Sequence, residues 1–200
     1  MANKDHTLDG KIISSAMREF MEKGYEKASL RKIAANAGVT IGAIYTRYST
    51  KDKLFCSLVS PLLSDIETAF HQIEASYNQA EPGDSSSMAE SMTMESKAII
   101  HLLFDHYDLA VLLLCKSTGS SLEKFFDTVV DQKIQKSIEF FNSKDGKPLN
   151  PGILKVLISS QFNIYYQIIH GGYSLEEAKE MTEAAMIYHG GGWLSLLESM

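Results

Sequence analysis

Residues 28–53 read ASLRKIAANAGVTIGAIYTRYSTKDK, and this stretch decides the fold that we expect for the chain. Its first part predicts a short amphipathic helix, because apolar residues recur at three- and four-residue spacing at Leu30, Ile33, Ala34 and Ala37. Ser29 precedes this helix and can accept a hydrogen bond from one of its free N–H groups. Gly38 follows it and can adopt the left-handed backbone at which helices end.

A second short helix follows directly, with Thr40 as a favourable N-cap. Its spacing assigns the inward face to Ala43, Ile44 and Tyr48. The outward face is left to Ile41, Gly42, Tyr45, Thr46 and Arg47. Two short helices joined by a tight glycine turn form the helix-turn-helix frame, which places its second helix in the major groove of DNA.

The order of these residues resembles the DNA-binding head of the TetR family of bacterial transcription regulators. The resemblance extends over the sequences SLRKIA, AGV, AIYTRY and KDKLF, at residues 29–34, 37–39, 43–48 and 51–55. It is specific because several spaced features agree, and with the first helix it covers the first quarter of the chain. The remaining three quarters resemble the family only in being a larger, divergent, all-helical domain.

Side chains that can bind DNA surround the second helix. Charged donors for phosphate oxygens are present at Arg31, Arg47 and Lys51, and hydroxyl groups at Ser29, Thr40, Tyr45 and Thr46. The resemblance implies that Tyr45 and Lys51 contact phosphates. It also implies that base edges are met at Thr40, Ile41, Gly42 and Thr46. By chemistry, Arg47 can bind a guanine and Ile41 can contact a thymine methyl group.

The alternative to a DNA-binding surface is an ordinary pair of surface helices with a solvated run of charges. In that case Tyr45 packs mainly into the core and keeps its hydroxyl at the rim. The distribution of charge favours DNA binding. The chain has a net charge of −6, but ten basic and six acidic residues give residues 1–53 a net +4 and leave −10 on the rest. A basic head on an acidic body is expected of a DNA-binding protein whose body stays off the DNA.

The rest of the sequence predicts helices only, with no strand-like alternation. A first helix at residues 7–23 ends at Gly24, and a long helix runs from Thr50 to about Tyr77 with Pro61 inside it. After a loop at residues 78–87, we expect helices at 88–106 and 109–116. A capping-box pattern at Ser120 and Glu123 opens the next helix. Two further helices start at Asn150-Pro151 and at Ser174, where Glu177 completes a second capping box.

The predicted fold class is therefore all-α, with a three-helix head and a larger helical body. We assign residues 1–53 to a helix-turn-helix DNA-binding domain and residues 54–200 to effector binding and dimerisation. The last two helices carry more large apolar residues than one core needs, which suits a four-helix interface with a second copy. The resemblance also implies a homodimer through these helices. The triple glycine at 190–192 would either break the last helix or let two backbones approach closely.

No constellation in the sequence points to catalysis, so we expect no enzyme, no cofactor and no metal site. His101 and Asp105 share a helix face, but His106 is rotated away, which argues against a three-ligand metal site. Cys56 and Cys115 lie in apolar helical patterns, and we interpret them as reduced core residues rather than thiol sensors. The polar N-terminus lacks a signal peptide, and no apolar run approaches membrane-spanning length. These features predict a cytoplasmic protein.

The middle helices carry a stripe of flexible and aromatic residues that could line a pocket or form ordinary core. Its members are Met88, Met92, Met94, Phe104, Tyr107, Phe125 and Phe126. The family resemblance favours a pocket for a small apolar or amphipathic effector. We therefore expect a transcriptional repressor that such an effector releases from its DNA operator. The alternatives are a DNA-binding protein without a small-molecule effector, and a helical enzyme or carrier for which the sequence offers no residues.

Overall fold

The computed structural model describes residues 6–77, 85–142 and 150–199. The regular structure of this part is helical throughout, which confirms the predicted all-α class. The helices are α1 (His6–Lys27), α2 (Leu30–Ala37), α3 (Ile41–Arg47), α4 (Lys51–Tyr77), α5 (Ser85–Asp105), α6 (Tyr107–Cys115), α7 (Phe125–Asn142), α8 (Pro151–Gly171) and α9 (Leu175–Glu198).

The first three helices form a small bundle around side chains that are fully excluded from solvent, among them Ile12, Phe20, Ile33 and Ile44. The Ser15 hydroxyl donates a hydrogen bond of 2.9 Å to the Ile33 carbonyl and so ties α1 to α2. At Gly24 the backbone leaves the helical region with φ 72°, and one further turn reaches Lys27. The prediction that Gly24 ends the first regular helix is therefore confirmed.

Helix starts were predicted correctly where the capping residues act locally. The Asn150 side chain accepts from the N–H of Gly152 at 2.8 Å, with Pro151 in the first turn of α8. Before α9, the Ser174 N–H donates to the Glu177 carboxylate at 2.8 Å, and the Glu177 N–H donates to the Ser174 hydroxyl at 3.3 Å. These two hydrogen bonds form the expected capping box.

Two expected helix starts were wrong, and the structure answers whether the triple glycine breaks the last helix. The pair Ser120 and Glu123 opens no helix, because Glu123 accepts instead from the Gly119 N–H at 3.1 Å and closes a turn, and α7 begins only at Phe125. Helix α5 starts at Ser85, so residues 85–87 are helical and not part of a loop. Helix α9 runs unbroken through the triple glycine, and a Cβ added at Gly191 or Gly192 would meet nothing within 4 Å.

The chain divides into two compact units. The first comprises the chain up to Leu63 together with residues 107–123, so it contains α1–α3, the start of α4, and α6 with the turn after it. The second comprises residues 64–106 and 124–200. Within the first unit α6 packs against α1, and the Tyr25 N–H donates to the Lys116 carbonyl at 2.8 Å.

The core of the second unit is built where α5 packs on α9 and α7 on α8. It includes a buried polar chain in which the Tyr165 hydroxyl meets Ser96 Oγ at 3.1 Å and Ser96 Oγ meets the Met186 sulfur at 2.8 Å. Burial raises the pKa of Tyr165, so this phenol stays protonated. Among the described helices, none alone has the length and apolar character to cross a membrane. One adjacent pair, Met92–Asp105 and Tyr107–Cys115, reaches that length and apolar character only when its two helices are counted together.

Candidate DNA-binding surface

The helix-turn-helix geometry follows from three local contacts. The Ser29 hydroxyl accepts from the Lys32 N–H at 3.5 Å and opens α2, and Gly38 ends α2 in the left-handed region with φ 68° and ψ 33°. The Thr40 hydroxyl accepts from the Ala43 N–H at 3.1 Å and opens α3. Each capping residue acts as the sequence predicted, so the turn between α2 and α3 is fixed by neighbours in the chain.

Helix α3 presents one face to the bundle and the other to solvent. Ile44 is fully buried, whereas Ile41 is 37% exposed and Tyr45 is 49% exposed. Gly42 and Thr46 lie on the same exposed face, and the Thr46 hydroxyl donates to the Gly42 carbonyl at 2.9 Å. The exposed face therefore offers hydroxyl groups, a glycine and an isoleucine, but no charge of its own.

The cations around α3 fall into two groups. Arg31, Lys32 and Lys53 are exposed and can meet phosphates. Lys51, in contrast, donates its ammonium protons to three backbone carbonyls, at 2.8 Å to Tyr25, 3.2 Å to Glu26 and 3.3 Å to Ala28. Its nitrogen also lies 4.5 Å from the centre of the Tyr25 ring. Lys51 thus binds the carbonyls at the end of α1, and sequence spacing gave no sign of these partners.

Arg47 is likewise bound within the head. Its Nε donates to the Asp9 carboxylate at 2.5 Å, and its Nη1 lies 3.5 Å from the Ala43 carbonyl one turn back along α3. The Arg47 side chain is only 18% exposed and that of Asp9 28%. The expected outward-facing arginine therefore folds back toward α1.

A second contact missed from the sequence joins the turn after α6 to the first turn of α4. The Ser121 N–H and hydroxyl donate to the two oxygens of Asp52 at 2.9 and 2.8 Å. Cys56 adds its thiol, 3.7 Å from Asp52 and 3.4 Å from the Ser121 oxygen. Burial alone would raise the pKa of Asp52, but the hydrogen bonds from Ser121 outweigh it and hold that pKa below its usual value.

The proposed pocket residues belong to helices α5, α6 and α7 and differ in burial. Met92 is buried in α5, Phe104, Phe125 and Phe126 are half-buried, and Met94 is 73% exposed. The Phe126 ring packs edge-on against Phe162 with centroids 5.9 Å apart. Tyr107 belongs to the first compact unit and the others to the second. The side chain of Met88 lies outside the described residues.

The last two helices expose large apolar side chains, as the sequence predicted. Val156 is 68% exposed on α8, and on α9 Ile187 and Tyr188 are 73% and 78% exposed. Trp193 is only 7% exposed within the single chain, so it belongs to the core of its own protomer.

The described part of the chain has no group of three or more ligand side chains that could hold a metal ion. The His106 Nε2 atom instead lies 2.8 Å from the Asp65 carboxylate.

A capped helix-turn-helix with an exposed second helix and exposed cations beside it is the arrangement typical of DNA-binding domains. Residues 12–58 match the family model for bacterial regulatory proteins of the tetR family. The chain is therefore similar to the helix-turn-helix transcriptional regulators of this family over its DNA-binding head.

Individual relatives agree with this assignment. The chain is 34% identical over 92 residues to the HTH-type transcriptional regulator AcrR of Shigella flexneri, a match that covers 46% of this chain and 38% of that protein. It is 25% identical over 170 residues to the HTH-type transcriptional regulator SAR2658 of Staphylococcus aureus, which covers 83% and 85% of the two chains. Among solved structures, the transcriptional regulator FadR from Bacillus subtilis in complex with stearoyl-CoA shares the fold, with a TM-score of 0.61, 17% identity and coverage of 92% and 98%.

Proposed function

We propose that this regulator is a cytoplasmic homodimeric repressor, released from its operator by a small apolar or amphipathic effector. The observation that carries the DNA-binding part is the exposed face of α3, held on a turn that is capped at both ends. In this proposal α3 enters the major groove, where Ile41 contacts thymine methyl groups and Thr46 accepts from base edges. Phosphate contacts come from Ser29, Arg31, Thr40 and Tyr45, with Gly42 allowing close approach of the backbone.

We propose a structural role for Lys51 and not the phosphate contact that its position in the sequence first suggested. With three carbonyls within 3.3 Å of its ammonium group, Lys51 fixes the end of α1 against the start of α4. The start of α4 can still attract a phosphate, because a helix N-terminus attracts anions, but the Lys53 N–H already donates to the Thr50 hydroxyl at 3.0 Å. We infer that Lys51 supports DNA binding by holding the head together.

The proposed dimer uses the exposed apolar faces of α8 and α9. Burying side chains such as Val156, Ile187 and Tyr188 against a second copy removes apolar area from water. A two-fold dimer would place two heads about 34–36 Å apart, or a multiple of this distance, to meet successive turns of DNA.

The effector would bind in the body, residues 54–200, and Met88, Met92, Phe104, Tyr107, Phe125 and Phe126 remain its proposed contacts. The complex of FadR with stearoyl-CoA supports an apolar chain as the chemical class. Helix α4 begins in the first compact unit and continues into the second, so its backbone connects the head to the body. A ligand that favours a different position of α4 would change the spacing of the heads.

A regulator without an effector is the second candidate, favoured by the interior of the body. Phe126 packs on Phe162, Phe162 packs on Tyr165, and Tyr165 is hydrogen-bonded to Ser96. Such packing can mean a core that is simply full.

Calorimetry with a fatty acyl-CoA, with and without an operator duplex selected by the protein, separates the two candidates. Linkage requires DNA to weaken effector binding by the same factor as the effector weakens DNA binding, typically about 5- to 150-fold. Equal affinities, or no binding of acyl chains of any length, would favour the regulator without an effector.

A further inference from the structure

The recognition helix of this regulator carries an arginine, yet that arginine points away from the surface that would meet DNA. Arg47 Nε is bound to Asp9 Oδ1 at 2.5 Å, and Arg47 Nη1 turns toward the Ala43 carbonyl at 3.5 Å. Ala43 precedes the buried Ile44 and is itself half-buried, whereas Ile41 and Tyr45 are exposed. The guanidinium group therefore lies on the α1 side of α3.

We propose that Asp9 is a specificity-determining residue, which holds Arg47 off the DNA and leaves α3 with an uncharged reading face. The proposal rests on the DNA-binding function given above. Asp9 prevents Arg47 from contacting DNA. Without Asp9, a free arginine at the end of α3 would bind phosphates or the O6 and N7 atoms of guanine.

Charge and geometry both support this role. Asp9 is on α1, 38 residues before Arg47, and its side chain is mostly shielded from solvent together with that of Arg47. A guanidinium that binds guanine through two nitrogens needs a free edge. In Arg47 each edge already has one nitrogen engaged, because Nε donates to Asp9 and Nη1 lies 3.5 Å from the Ala43 carbonyl. Lys51, which follows α3 in the chain, is likewise bound by backbone carbonyls. No positive charge is then left on the reading face, and recognition depends on shape, hydroxyl groups and methyl contacts.

The consequence for specificity follows from the different contributions that phosphate contacts and base contacts make to binding. Phosphate contacts strengthen binding to every sequence equally, whereas base contacts distinguish sequences. An arginine released onto the backbone would therefore strengthen binding to unrelated DNA as much as binding to the operator, whereas one released onto a guanine would change which sequence is preferred. By retaining Arg47, Asp9 lowers the affinity for DNA in general and keeps a guanine contact out of the preferred sequence.

The test uses the full-length protein and four variants, Asp9→Asn, Arg47→Gln, the double variant, and Glu22→Gln as a control. The control removes one negative charge from an exposed residue of α1 that pairs with Lys23 and does not touch Arg47. The probes are an operator duplex selected from a random library by the wild-type protein and a scrambled duplex of the same length. Selection of a preferred sequence by the wild type shows separately that the protein binds DNA specifically.

We expect Asp9→Asn to bind the scrambled duplex more tightly, with a log–log salt dependence steeper by about 0.9 for one additional phosphate contact. This gain should disappear in the double variant and be absent from Glu22→Gln, while Arg47→Gln alone should change operator affinity less than about twofold. A tenfold loss from Arg47→Gln alone would show that Arg47 already contacts DNA and would overturn the proposal. A gain from Asp9→Asn that persists in the double variant would do the same. Because Arg47→Gln leaves Asp9 in place, its result stands even if Asp9→Asn unfolds the head.

Discussion

Two surfaces of this protein expose apolar side chains to solvent, and they differ in what surrounds those side chains. On α3, Ile41 and Tyr45 are 37% and 49% exposed and stand among Gly42, Thr46 and the capping hydroxyl of Thr40. On α9, Ile187 and Tyr188 are adjacent in sequence and 73% and 78% exposed. Exposure alone therefore does not identify a partner. Hydroxyl groups and nearby cations favour DNA at α3, whereas a larger apolar exposure favours a second protein chain at α9.

The largest effect should come from placing a charge in the apolar surface of α9. If α9 is the dimer interface, Tyr188→Asp buries two unpaired carboxylates in each dimer and should weaken dimerisation by about 3 kcal/mol or more. The thermal stability of the isolated protomer should change little, because Tyr188 is 78% exposed there. Sedimentation equilibrium measures the association.

Met94→Asp is the matched control for that experiment, because Met94 has a similar exposure, 73% against 78% for Tyr188, but lies on α5. It should leave the dimer intact. If both variants dimerise as the wild type does, then the exposed face of α9 has some other partner.

The contrast between these surfaces also shows what the sequence could predict. The helix-turn-helix was predictable because its determinants are local: Ser29, Gly38 and Thr40 each act within five residues of themselves. The exposed and buried faces of α3 followed from the helical repeat. These signals need no knowledge of the rest of the fold.

Contacts between distant residues carried no such signal. Asp52 and Ser121 are separated by 69 positions, and Arg47 and Asp9 by 38. A helical repeat shows that a charged residue lies near a surface, but not whether an acid or a carbonyl group from another helix already binds it. The expectation of free phosphate donors at Arg47 and Lys51 came from this gap.

The next effect separates structural from DNA-binding cations within the head. Replacing Lys51 by Met removes a charged donor from the carbonyls of Tyr25, Glu26 and Ala28. Hydrogen bonds to a charged group contribute about 1.5–3 kcal/mol, so we expect a loss of about 2 kcal/mol in the free energy of unfolding. Lys53→Met, at an exposed position two residues later, should lose almost nothing. Denaturant unfolding measures both, and equal stabilities would remove Lys51 from its structural role.

Arg31 should behave in the opposite way. It is exposed on α2, so Arg31→Ala should leave unfolding unchanged. As one lost phosphate contact, it should reduce the slope of log affinity against log salt by about 0.9, which amounts to about threefold in affinity between low and moderate salt. Fluorescence anisotropy over a salt series gives the slope. An unaltered slope would place Arg31 outside the DNA surface.

The smallest effect concerns the contact between Asp52 and Ser121, and it should depend on pH. The pKa of Asp52 is lowered in the folded protein, so the carboxylate stabilises the fold above the ordinary aspartate pKa of about 3.9 and loses this contribution as pH falls through the lowered value. Ser121→Ala should therefore be less stable than the wild type at neutral pH, with the difference shrinking below about pH 4. A difference that stays constant down to about pH 2, roughly two units below that value, would mean that the Ser121 contact does not depend on the Asp52 charge.

The claim that α3 reads DNA is tested most directly by comparing operator and scrambled duplexes with the wild type and with Ile41→Ala combined with Thr46→Ala. Both side chains are exposed, so the double variant should fold as the wild type does. We predict that the wild type prefers its selected duplex, and that the variant loses about 1–3 kcal/mol of that preference for each base contact removed. The account would be contradicted if the variant kept the full preference, because sequence would then be read by a surface other than α3.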